Sequence, residues 1–174
     1  MAELIALRTT VRDVTSRMGV RVDKWLGDGV MLVGVDCEPL VDAVVRISAD
    51  HSRRGRLLLR SGIACGQVIL LEGDDYVGGP VNLAARLSDR AEPSQILAAE
   101  DGLVLPESVV RGQAAKVALQ GFSERVSVVA LATRPRGRRV LPLTRLVRSE
   151  EPPPTVDLTE GDSPVELCEG ESGT

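Results

Sequence analysis

The stretch Asp75-Tyr76-Val77-Gly78-Gly79-Pro80-Val81-Asn82-Leu83-Ala84-Ala85-Arg86 constrains this chain more than any other. It starts as an irregular turn, where glycine supplies backbone conformations that other residues avoid. It then becomes a helix, because Pro80 suits a first helical turn that has no use for its missing N–H. Asn82 and Arg86 are spaced i and i+4, so they share one helix face a turn apart. An amide and a guanidinium beside the positive end of a helix dipole suit phosphate oxygens. On spacing alone, the same pattern also describes an ordinary capped helix with a solvated arginine.

Upstream, Leu4, Leu7, Val11, Val14 and Met18 recur every 3–4 residues, which predicts an amphipathic helix ended by Gly19. Val20 to Leu26 alternates and Val30 to Val35 is apolar, so the two form a hairpin about Gly27-Asp28-Gly29. Simple alternation puts Lys24 on the face of Val20, Val22 and Leu26, where an ammonium needs a partner or a ligand, and turns Asp23 the other way. Asp36 or Cys37 caps a second helix with Leu40, Val41, Val44, Val45 and Ile47 buried. His51 to Arg56 reads as a polar loop with His51 at the surface. Leu57 to Cys65 and Gln67 to Leu71 read as strands, and the helix after Gly79 runs to about Ala91. Gln95 to Ala99 is a short strand, residues 101–114 are weakly patterned, and Lys116 to Phe122 with Arg125 to Ala132 make a closing hairpin. This order predicts an α+β sandwich with helices on one sheet.

The core must be aliphatic, since aromatic residues make up only 2% of the chain. A net charge of −4 argues against nucleic acid as a partner. Cys37, Cys65 and Cys168 are odd in number and widely spaced, with no metal or disulfide framework, as in a reducing cytoplasm. No apolar run approaches the length of a membrane span, and no signal peptide is evident, so the expectation is a cytoplasmic protein with no membrane partner. The composition changes after residue 133. Six arginines fall within 134–148, and 149–174 is acidic with a Pro152-Pro153-Pro154 run, so 134–174 reads as a solvated basic linker and a disordered tail.

Two stretches taken together are more specific than either alone. Lys24-Trp25-Leu26-Gly27-Asp28 and Asp75 to Arg86 resemble, in residue type, spacing and order, the K-x-x-G-D hairpin and the D-x-x-G-x-x-V-N-x-A-x-R loop-helix of class III adenylate/guanylate cyclase catalytic domains. Arg60-Ser61-Gly62-Ile63-Ala64-Cys65-Gly66 looks like the family's strand before that loop. Leu119-Gln120-Gly121-Phe122 looks like its L-K-G-F hairpin, with Gln120 in place of the lysine. The resemblance covers residues 4–132 and implies a ferredoxin-like, palm-type sandwich over residues 1–133.

The resemblance implies conversion of ATP to cyclic AMP and pyrophosphate by two-metal catalysis with Mg²⁺ or Mn²⁺. It implies a site shared by two subunits arranged head to tail, in a homodimer or with an intact cyclase. Lys24 and Asp75 would read adenine, Asn82 would position the ribose, and Arg86 would stabilise the phosphoryl transition state, a role worth roughly 10³–10⁵ in rate. Asp28 would be the second metal aspartate. The family's first strand, which carries the first metal aspartate, has no counterpart, because the residues before Asp28 read as the helix that follows it. The expectation is therefore a cyclase domain lacking its first strand, with a weakened metal site and impaired activity. The alternative is a non-catalytic nucleotide-binding or dimerisation module derived from a cyclase.

Overall fold

The computed structural model of the protein describes residues 1–54, 57–71 and 75–135. In chain order the elements are α1 (Ala2–Met18), β1 (Arg21–Leu26), β2 (Gly29–Val33), α2 (Cys37–Arg53), β3 (Ser61–Ile63), β4 (Ile69–Leu71), β5 (Asp75–Val77), α3 (Gly79–Arg90), β6 (Ile96–Ala99), β7 (Val109–Arg111), β8 (Ala115–Val117) and β9 (Val126–Thr133). The basic stretch from residue 136 onward and the acidic tail lie outside the described residues, as does Asp74.

The main sheet has five strands and is built on β9. β9 runs antiparallel to β6 on one side, and on the other to β7 near its end and β8 near its start. β3 joins β6 in parallel. Period-two alternation then divides the side chains between two faces. Ile96, Ala98, Val129 and Leu131 pack with Val41 and Val45 of α2. Leu97, Ala99, Val128 and Ala130 pack with Leu87 of α3 and Ala91 just after it on the opposite face. The runs Ile96–Ala99 and Val128–Leu131 are continuously apolar because both faces are covered. Glu100, just past β6, ties the sheet together by accepting hydrogen bonds from Ser127 Oγ at 2.8 Å and Arg111 at 2.6 Å. The Ser127 hydroxyl, then the arginine, holds its carboxyl below the usual carboxylate range.

Gly62 lets α3 approach the sheet. A Cβ there would overlap the Ala84 carbonyl oxygen and stand 2.5 Å from Ser88 N. A smaller cluster forms where Leu7 and Val11 of α1 and Ile47 of α2 meet Val22, Trp25, Val30 and Leu32 of the β1–β2 hairpin. Among the described residues that hairpin shares no ladder with the main sheet: β2 pairs with β1 and β3 pairs with β6. The resemblance places the absent strand between the strands of Val30–Val35 and Leu57–Cys65, and these, β2 and β3, do not pair with each other.

The sequence reading differs from the structure in several elements. His51 is not a surface residue; α2 continues to Arg53 and buries it completely. The stripe of Val41, Val45 and Ser48 extends to His51 at helical spacing, and its Nδ1 lies 3.1 Å from the Ile47 carbonyl oxygen. Only Ser61–Ile63 of the expected Leu57–Cys65 strand has a ladder partner. Asp75–Val77, read as turn, pairs with Ile69–Leu71 as β5. Val109–Arg111, in the weakly patterned region, is β7 on the sheet edge.

Candidate functional site

A β-bulge in β1 sets the geometry of the site. Val22 pairs with Leu32, but Lys24 pairs with Met31, so Asp23 is an extra residue in the strand. The bulge resets the alternation. Val22 and Trp25 both reach the cluster under α1 and α2, with Arg8 stacked 4.5 Å over the Trp25 ring. Lys24 is thereby moved off the Val22 face, contrary to simple alternation, and turns toward β5.

There the Lys24 ammonium donates a hydrogen bond to Asp75 Oδ1. A second contact joins the same strands, with the Arg21 guanidinium 5.9 Å from the Tyr76 ring centroid. The Lys24 and Asp75 side chains are 36% and 53% exposed, so solvent reaches the pair. Chiefly through the Asp75 hydrogen bond, and against a smaller desolvation effect, Lys24 is held above its ordinary pKa. The carboxylate of Asp23 is not turned away from Lys24, as alternation implied; Oδ2 lies 3.8 Å from Nζ.

α3 starts at the end of this arm. Gly78 caps it with φ of 147°, a value that L side chains rarely adopt, and Pro80 stands in its first turn. Leu87 is fully buried against the sheet, which leaves Asn82 and Arg86 on the exposed face. The Arg86 guanidinium is 3.9 Å from Asp89, a loose surface pair of little energetic weight. Asp28 is exposed in the β1–β2 turn and makes no side-chain hydrogen bond or ion pair among the described residues. The structure thus joins Lys24 to Asp75, sets Asn82 and Arg86 on one exposed helix face, and holds Asp28 at a hairpin tip with no hydrogen bond or ion pair to the other four.

Mg²⁺ is held by one or two carboxylates together with substrate phosphates, and a two-metal centre needs more than one carboxylate. Among the described residues no group of three or more His, Cys, Asp or Glu is placed to hold a metal ion. Asp28 alone, with phosphate oxygens completing the shell, fits weak binding of one ion and does not fit a two-metal centre.

Two features went unread in the sequence. One is the closeness of Asp23 to Lys24, whose signal is the three-residue spacing of Val22 and Trp25, both apolar and on one face. The other is the pair Cys37 and Cys65, whose Sγ atoms are 2.7 Å apart although the spacing suggested no framework. Burial first, then the hydrogen bond to Cys37, pushes the Cys65 thiol from 9.0 up to about 12.

No family model matches the chain. An uncharacterized protein of Mycobacterium tuberculosis is 42% identical over 133 residues, which is 74% of this chain and 34% of that protein. A pH-sensitive adenylate cyclase of the same species is 37% identical over 78 residues, 44% of this chain and 19% of that protein. The chain spans about a third of the length of the first of these relatives. Among solved structures, the adenylyl cyclase CyaB from P. aeruginosa superposes with a TM-score of 0.65 at 22% identity, over 78% of this chain and 83% of that one. The guanylate cyclase domain of RhGC from Catenaria anguillulae, solved with GTP, superposes at 0.60 and 17% identity, over 78% of this chain and 84% of that one. At these identities the likeness establishes the fold. Among the described residues no helix is long and apolar enough to cross a membrane.

Proposed function

We infer that this chain, which has the class III adenylate/guanylate cyclase fold, is an adenylate-cyclase-type domain that binds ATP in preference to GTP. The observation that supports this reading is the Lys24–Asp75 contact. It places one cationic donor beside one anionic acceptor on a solvent-reached surface. Adenine offers the complement, a bare N1 that accepts and a 6-amino group that donates. Guanine offers a hydrogen on N1 and an oxygen at position 6, so it meets both groups with the wrong polarity. A site built on such hydrogen bonds disfavours the mismatched base, because its donor and acceptor are left unpaired where the bound base displaces water from them.

In this reading Asn82 orients the ribose and Arg86 neutralises charge on the phosphates. Asp28 is the residue assigned to Mg²⁺ or Mn²⁺, which when bound would polarise the phosphates. The partner is a second copy arranged head to tail, or an intact cyclase. Exposed Ile69, Leu70 and Leu71 on β4, at 64%, 51% and 49% relative exposure, support a partner surface beside the site.

The donor set favours low cyclic AMP formation by the 174-residue chain, since no group of three or more His, Cys, Asp or Glu is placed to hold a metal ion among the described residues. A nucleotide-binding or dimerising module is the second reading that this observation favours. Cyclic AMP production from ATP with Mn²⁺ distinguishes the two. A turnover on the order of 10 s⁻¹ contradicts the low-activity expectation, and a trace rate lost in Asp28→Asn supports a weak cyclase.

A further inference from the structure

Asp23 has a structural cost that the fold alone does not offset. Its side chain is 1% exposed, and neither carboxylate oxygen has a hydrogen-bond partner. A buried carboxylate with no hydrogen bond is expensive, so such a group calls for a reason. The Lys24 ammonium stands 3.8 Å away, inside ion-pair range and beyond a hydrogen bond. It is engaged instead with Asp75 on the other side.

That arrangement has a consequence when a purine arrives. In the reading above, Lys24 and Asp75 must both turn their hydrogen-bonding atoms to the base, so the bond between them opens. Lys24 then loses the partner that most stabilises its charge, while Asp23 has every acceptor free. An ammonium has three N–H donors and can serve the base and a carboxylate together.

We propose that Asp23 is a positioning residue for Lys24, taking up the ammonium by a hydrogen bond when the Lys24–Asp75 bond gives way to adenine. The bulge is the device that makes this possible, because it inserts Asp23 beside Lys24 without displacing Val22 or Trp25 from the cluster. Asp23 touches no nucleotide. It acts on base selection through Lys24 and rests on the assignment of Lys24 and Asp75 to the base.

The test is calorimetric titration of the full chain with ATP and with GTP, each with Mn²⁺, in a double-mutant cycle of Asp23→Asn and Lys24→Met. A hydrogen bond between charged groups corresponds to about a tenfold change in affinity or more. Asp23→Asn should therefore lower the ATP-to-GTP preference about tenfold in the wild-type background and leave it unchanged beside Lys24→Met. Asp23→Ser serves the same purpose if the asparagine variant does not fold. An equal loss for both nucleotides, or the same loss with Lys24 already removed, overturns the proposal, since a merely structural role predicts that. If Lys24→Met itself leaves the preference intact, the assignment of Lys24 to the base fails first. If Lys24→Met abolishes the preference and Asp23→Asn does not reduce it, the positioning role alone fails.

Discussion

At the scale of single residues, the closest constraint is on Gly62. Because a Cβ there meets the backbone of α3 at Ala84 and Ser88, the helix must retreat to admit one. Gly62→Ala should destabilise the domain by roughly 1–3 kcal/mol, read as a lowered urea midpoint at unchanged slope. A neutral result would mean that α3 does not sit this close to β3. The shared exposed face of Asn82 and Arg86 was legible because a fixed spacing survives without knowledge of the backbone, while the roles of these two and of Lys24 and Asp75 remain proposals. Asp23 was not legible, because a bulge shifts the strand's phase by one residue and simple alternation carries no trace of it. His51 was misjudged for a similar reason: polarity was given more weight than the helical spacing that continues from Val41, Val45 and Ser48.

Among elements, α2 and the end of β3 are brought together by two thiols. The Sγ atoms of Cys37 and Cys65 lie 2.7 Å apart, near the ~2.0 Å of a disulfide. Glutathione disulfide should oxidise the pair: the two thiols lose two electrons and two protons, the cysteines bond to each other, and two glutathione thiols leave. Mass spectrometry of the oxidised chain would show an internal link between residues 37 and 65, and mixed disulfides alone would contradict the geometry. With its thiol held up to about 12, protonated Cys65 persists through pH 9–11, where an ordinary thiol has ionised. In Cys37→Ala the hydrogen bond that helps raise it is gone, so alkylation of Cys65 should speed up most in that pH range. α3 is anchored by Leu87, which is fully buried. Leu87→Ala should cost about 2–5 kcal/mol by chemical denaturation and loosen the helix that carries Asn82 and Arg86. α1 and α3 were legible from periodicity, and the closing hairpin from its turn. β5 and β7 were not, since strands of three residues gain their identity from tertiary partners and not from local pattern.

At the scale of the whole molecule, the β1–β2 hairpin and the five-stranded sheet are separate ladders, and β4 shows three large apolar side chains to solvent. Unpaired strand edges and apolar patches favour association. Sedimentation of the purified chain should show a concentration-dependent dimer, and Leu70→Asp should weaken it at least about tenfold without changing the fold. A monomer at all concentrations would remove the proposed partner surface. The sandwich and the order of its elements other than β5 and β7 were legible because a buried two-sided sheet needs apolar runs. The separation of the two ladders was not legible, since an absent strand is equally compatible with its two neighbours pairing directly. The central claim is that Lys24 and Asp75 select adenine, and it is tested most directly by titrating ATP and GTP with Mn²⁺ into the wild type and into Lys24→Glu with Asp75→Cys. The wild type should bind ATP more tightly, with the preference weakened in the double variant; a clear preference of the wild type for GTP would contradict the account.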